Sequence, residues 1–135
     1  MDLKDTLEIS AMGMKAQGVR LRVVAENLAN AGSMATSPNE DPYRRKTISF
    51  KNEVNRTTGV ATVQVGGIGV DKSDFQKKYD PGNPAADASG YVKTSNVNSL
   101  VEVMDMREAQ NAYSANLGVT EIAKTMLLKT IELMK

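Results

Sequence analysis

Neither cysteine nor histidine occurs anywhere in the 135 residues, and tryptophan is absent as well. The first two absences exclude a disulfide framework, thiol chemistry and any Cys/His zinc site. They also remove the base that most often activates a serine or threonine nucleophile. Aromatic residues make up only 4% of the chain, two Phe and four Tyr, so few large side chains are on hand to anchor a globular core. No long apolar run is present: Met126-Leu127-Leu128 is far too short to span a membrane. A surplus of one charge is missing too, with 17 basic residues against 16 acidic ones and a net charge of +1. Nucleic-acid binders usually concentrate a basic excess, so this balance argues against that class. Lys4, Asp5 and Glu8 stand where a signal peptide needs apolar residues, and composition alone therefore points to the cytoplasm.

What is abundant is methionine, eight residues of the most adaptable apolar type, and apolar residues spaced for helices near both ends. From about Asp2 to Asn30, Leu7, Met14, Leu21 and Leu28 recur every seven residues, flanked by Leu3, Ala11, Val24 and Ala25. Four heptads of this kind predict the seam of a coiled coil or helix bundle. Asp2 is the expected N-cap, and Asn30-Ala31-Gly32 supplies residues suited to a left-handed helix end. Gly13 and Gly18 lie inside, each costing about 1 kcal/mol relative to Ala. Two readings stay open for them: tolerated weak points, or places where another helix passes close. Asn27 and Asn30 also have two readings, solvent exposure with helix ending, or polar positions that fix register at an interface.

A second helical zone runs from about Asn96 to Met134. Ser99 followed by Glu102 reads as a capping box, and Ala112, Ala115, Val119, Ile122, Met126 and Leu133 then follow a 3-4 spacing in which Lys129 fills the one missing step. The stripe weakens through Arg107, Glu108, Gln110 and Asn111, which is either a polar layer or the point where a partner helix departs. Residues 32–95 between the helices are rich in turn formers. Ile48 and Phe50, and then Ala61, Val63 and Val65, alternate with polar residues as half-buried strands do, and Asp80-Pro81-Gly82 marks a tight turn. The expected fold is therefore mainly α: an N-terminal helix over 1–31 paired with a C-terminal helix over 96–135 as a coiled coil, with a small β-rich module over 32–95. Isolated amphipathic helices are marginal in water, and two paired helices still leave apolar faces open. Further subunits are needed to cover them.

No catalytic, metal or cofactor constellation emerges. Gly66-Gly67-Ile68-Gly69 lacks the Lys-Ser/Thr pair and the following helix of a phosphate loop, and reads as a hairpin turn or strand bend. Asp71, Asp74, Asp80 and Asp87 fit solvated turns better than an acid–base pair or an EF-hand. Arg44-Arg45-Lys46 is the one basic run; it is read as an exposed strand face, with contact to an acidic patch on a neighbouring subunit as the functional alternative. A structural protein rather than an enzyme is expected.

Ser10-Ala11-Met12-Gly13-Met14-Lys15-Ala16 and Ala25-Glu26-Asn27-Leu28-Ala29-Asn30 resemble the N-terminal signature of bacterial flagellar rod and hook proteins. Ala112-Tyr113-Ser114-Ala115-Asn116 is similar to the Tyr-x-Ala-Asn signature of their C-terminal helix. Pro42 through Lys46, Tyr79-Asp80-Pro81-Gly82, Gly90-Tyr91-Val92 and Asn96-Val97-Asn98 resemble more specifically the proximal rod protein family, FlgC. The resemblance covers the whole chain in order. It implies a subunit exported unfolded by the flagellar type III apparatus without a cleaved signal, then polymerised with itself and other axial proteins into the periplasmic rod. It implies terminal segments that become helical on assembly, and it replaces the cytoplasmic expectation. An adaptor or secreted protein outside the rod is the alternative. The residues expected at subunit interfaces are Leu7, Gly13, Met14, Leu21, Asn27, Leu28, Asn30, Ala112, Tyr113, Ala115, Asn116, Val119, Ile122, Met126 and Leu133, with Arg44, Arg45 and Lys46 as a charged contact. No cofactor, nucleic acid or membrane span is expected.

Overall fold

A computed structural model describes residues 2–134. The elements follow in the order α1 (Leu3–Ala29), β1 (Lys46–Val54), β2 (Ala61–Val70), β3 (Gln76–Tyr79), β4 (Tyr91–Thr94) and α2 (Ser99–Leu133). The structure is 47% helical and 21% strand, with the strands in two small antiparallel sheets, β1-β2 and β3-β4. The two terminal helices expected from the sequence are present, with the strands between them in chain order.

The helix ends follow local chemistry, and two differ from expectation. At the start of α1 the Asp2 carbonyl accepts the Thr6 N–H at 3.1 Å, while the Asp2 N–H donates to Asp5 Oδ2 at 3.0 Å. That return bond from the third helical residue is one half of a capping box. Where α1 stops, no left-handed cap forms, because Gly59 and Gly90 are the glycines with positive φ among the described residues. Instead Asn30 Nδ2 donates to the Glu26 carbonyl at 2.8 Å, and the Ala31 N–H bonds three residues back to Leu28. The Glu26 carbonyl thus accepts both the side-chain amide and the backbone N–H of Asn30, the latter at 3.2 Å. At α2 the expected Ser99–Glu102 box is absent. Asn98 is the cap, its Oδ1 accepting the N–H groups of Leu100 (3.0 Å) and Val101 (3.4 Å). Glu102 turns inward instead and is fully buried.

The chain forms two compact units. The first contains Met1–Leu21, Ser49–Gly67 and Arg107–Lys135. Its interior is made of small residues: Ser10, Gly13 and Ala16 of α1, Thr62 of β2, and Ala109 and Ala123 of α2. Helices that meet through such residues can lie close, and here they run antiparallel: Gly13 faces Asn116, and Arg20 pairs with Glu108 at 3.5 Å. The β1–β2 turn is closed by the Asn55 N–H to the Val60 carbonyl (2.8 Å) and the Gly59 N–H to the Asn55 carbonyl (2.7 Å). Gly59 has φ 71°, a conformation that costs a residue with a Cβ.

The second unit contains Arg22–Ile48 and Ile68–Met106. β3 and β4 pair antiparallel with Gln76 opposite Thr94 and Tyr79 opposite Tyr91. Their four-residue length and the sequence Gln-Lys-Lys-Tyr hide them from periodicity, and the sequence reading did not anticipate them. Ala35, Ala85 and Val92 form a small apolar cluster beside the sheet, with Met34 and Ala86 packed on it. Asp80–Gly82 turns as expected, the Asn83 N–H reaching the Asp80 carbonyl at 3.2 Å. Gly90 has φ 81°, and a Cβ there would lie 2.9 Å from Tyr79 Cε2, so glycine is required.

Candidate assembly surface and buried polar knot

In the second unit, Asn27 of α1 is 1% exposed and uses its whole amide. Its Oδ1 accepts the Lys46 N–H and the Tyr43 hydroxyl, each at 2.8 Å. Its Nδ2 donates to the Lys46 carbonyl at 2.9 Å and to Glu102 Oε2 at 3.2 Å. Glu102 also receives Arg45 Nε on Oε1 at 2.5 Å. A buried carboxylate is tolerable only when paired and hydrogen-bonded, and these two contacts supply both. Asn96 extends the knot, with Oδ1 accepting the Arg45 N–H (2.7 Å) and Nδ2 donating to the carbonyls of Asp71 and Ser73. The knot therefore ties α1 and α2 to the entry of β1 and the segment after β2. Of the two readings for Asn27, the structure shows the buried polar position; Asn30 serves the helix end.

The basic run is engaged within the chain. Arg44 donates to the carbonyls of Asp71 (3.2 Å) and Ser73 (3.1 Å) while stacking over Phe75 at 4.2 Å. Arg45 is committed to Glu102, and Lys46 Nζ lies 2.7 Å from Glu26 Oε2. The hydrogen bond and charge of Lys46 hold the Glu26 carboxyl below its usual range, and the same contact raises Lys46. Hydrogen bonds from Ser73 hold Asp71 low, and burial pushes the Tyr43 hydroxyl up.

Contacts of α1 with α2 include Gly13 against Asn116, Arg20 against Glu108 and Asn27 against Glu102. They recur every seven residues, as a helix seam does, but they are small or polar. Leu7, Met14, Leu21 and Leu28 lie one residue further on, about 100° round the helix, and are half-buried. The apolar heptad thus lies beside these three contacts, while apolar Val23 and Val24 between Arg20 and Asn27 are buried. On α2, Ala112 and Asn116 are half-buried and Ala115 is exposed. Tyr113, Val119, Ile122, Met126 and Leu133 are exposed, Ile122 by 62%. Arg20–Glu108 and fully buried Ala109 keep α1 alongside the weak stretch of the stripe, whose Arg107, Glu108, Gln110 and Asn111 are exposed.

A Cβ built on Gly13 would lie 3.0 Å from both Asn116 Nδ2 and Oδ1, whereas nothing lies within 4 Å of one on Gly18. The close approach at Gly13 is made by the chain's own α2. Gly18 faces open space. Among the described residues no helix is long and apolar enough to cross a membrane, and no acidic cluster is arranged to hold a metal ion.

A family model described as the flagellar basal body rod FlgEFG protein C-terminal region matches residues 88–133. The flagellar basal-body rod protein FlgC of Agrobacterium fabrum is 49% identical over 128 residues, covering 95% of this chain and 92% of that protein. The protein of the same name from Salmonella typhimurium is 42% identical over 135 residues, 98% of each chain. That of Bacillus subtilis is 35% identical, covering 96% of this chain and 97% of its own.

Proposed function

Because the chain belongs to the FlgC family of flagellar basal-body rod proteins, we infer that it is a structural subunit of the rod, polymerising through its terminal helices into the proximal drive-shaft segment that carries torque. The observation that supports this most is the disposition of apolar residues. The contacts of Gly13, Arg20 and Asn27 with α2 use small and polar side chains, while Val119, Ile122, Met126, Leu127 and Leu128 stand exposed on α2. An isolated chain gains nothing from that row; a subunit surrounded by copies and other rod proteins buries it, at roughly 25 cal/mol per Å² of apolar surface.

In this reading the two helices form an antiparallel coiled coil whose register is held by Asn27–Glu102 and Gly13–Asn116. Leu7, Met14, Leu21 and Leu28 join the α2 row in contacts with neighbouring subunits. The chain acts without chemistry of its own and reaches the periplasmic rod through the flagellar type III apparatus.

Complementation of a deletion strain tests the function. The wild-type chain should restore swimming and rod assembly, and Ile122→Asp should restore neither while being synthesised normally. A carboxylate pressed into an apolar contact costs on the order of several kcal/mol, repeated in every subunit. Normal swimming of the deletion strain would overturn the rod assignment, and normal swimming with Ile122→Asp would overturn the interface.

A further inference from the structure

The first unit carries both halves of a complementary pair that the chain cannot close on itself. One half is a cavity of about 200 Å³ between α1 and β2. Met12, Ala16 and Val19 line it from the helix and Val63, Gln64 and Val65 from the strand, with exposed Lys15 contributing its edge. A cavity of about 150 Å³ already accommodates a benzene-sized group, so this one takes a large apolar side chain. The other half is the end of α2. Every residue from Lys124 to Met134 is exposed. Met126, Leu127, Leu128, Ile131, Leu133 and Met134 cover more than half of the helix circumference there. Leu128 and Glu132, one turn apart, share a face, so an apolar knob is followed by a carboxylate.

The chain's own knob is out of reach of its own cavity. Asn116 is the α2 residue level with Gly13, and the antiparallel course carries α2 past the N-terminal end of α1. Leu128 lies twelve residues beyond Asn116, roughly 18 Å along the axis at about 1.5 Å per residue. From the cavity, the knob and their separation, we propose that Leu128 of one copy seats in the α1–β2 cavity of a second copy, with Glu132 meeting Lys15. This rests on the rod-subunit reading and specifies one contact of it. A knob and a socket on different surfaces of one chain make a head-to-tail contact, which propagates as an open helical array unless its rotation closes. The surface for elongation is therefore present within a single polypeptide.

The absence of cysteine makes the test direct. Full-length Val65→Cys and Leu128→Cys chains are purified separately, then mixed and oxidised. Lys15→Cys and Glu132→Cys form a second pair that leaves the apolar knob intact. For both pairs the mixture should give disulfide dimers at least about tenfold above either variant alone, because a specific contact raises the local thiol concentration. Lys15→Glu should weaken the first cross-link, and adding Glu132→Lys should restore it. Mixtures that cross-link no better than the single variants overturn the proposal. Capture of a different rod protein by Val65→Cys in cells, with no dimer of this chain, overturns the choice of a second copy. The same variants in the deletion strain separate the two levels of inference. Restored swimming without the cross-link sinks the socket alone, whereas a deletion strain that still swims sinks the rod reading.

Discussion

Substituting Gly13 is the sharpest perturbation available, because Gly18 on the same helix is an internal control. On intrinsic propensity, each Gly→Ala change should stabilise α1 by about 1 kcal/mol. At Gly18 nothing stands within 4 Å of the new methyl, so that gain should be realised in full. At Gly13 the methyl would lie 3.0 Å from Nδ2 and Oδ1 of Asn116 and 3.1 Å from its Cγ. Asn116 is not free to swing aside, since its Nδ2 is bonded to the Ala112 carbonyl at 2.9 Å. A shift of a few tenths of an ångström should offset the propensity gain and leave Gly13→Ala close to neutral. Gly13→Leu cannot be accommodated by so small a shift and should cost about 1–3 kcal/mol per subunit through overpacking. Adding Asn116→Ala should relieve much of that cost, a coupling that a double-mutant cycle isolates. The assay is swimming and rod assembly in the deletion strain, with thermal unfolding of assembled material for the magnitudes. If Gly13→Leu behaves like Gly13→Ala and both match wild type, the close α1–α2 approach is refuted.

Arg45→Met should cost about 3 kcal/mol in thermal unfolding by leaving the Glu102 carboxylate buried without its partner, and Arg45→Met with Glu102→Leu should recover most of the loss; no loss in the single variant would contradict the knot. Dilute monomer should show clearly less helix by circular dichroism than the 47% of the structure, because the helices depend on neighbours for burial; full helicity would refute that dependence. Stability should also fall on acidification. Glu26, Asp71 and Asp87 are held below the ordinary carboxylate range, so their contribution is present above that range and is lost as pH drops through their lowered values. Lys46 has the opposite sign, contributing below the ordinary lysine value and fading as pH rises through its raised one. Melting temperature against pH checks both flanks, and a flat acidic flank would refute the first.

The two helices and the β1–β2 pair were legible because each repeats a hydropathy period over many residues. The face by which α1 meets α2 was not. Gly13, Arg20 and Asn27 carry no apolar signal, while Leu7, Met14, Leu21 and Leu28 beside them do. In the proposed assembly neighbouring subunits would cover these apolar residues, so their periodicity need not mark the contacts made within the chain. Capping was misplaced by one residue for a related reason. Ser99 and Glu102 have the right spacing, but Asn98 reaches the free N–H groups first and Glu102 is drawn to Arg45. The Arg45–Glu102 pairing joins residues far apart in sequence, so the basic run looked free for external partners. β3 was invisible because Lys77 and Lys78 interrupt any alternation, and β4 because four residues are too few to show a period.

High-resolution electron cryomicroscopy of purified basal bodies tests the central claim most directly. The account predicts this chain in a helical array within the proximal rod, Gly13 facing Asn116 inside each subunit, and Ile122, Met126 and Leu128 buried against neighbouring subunits. A closed oligomer outside the rod, or a rod in which those three side chains face solvent, would contradict it.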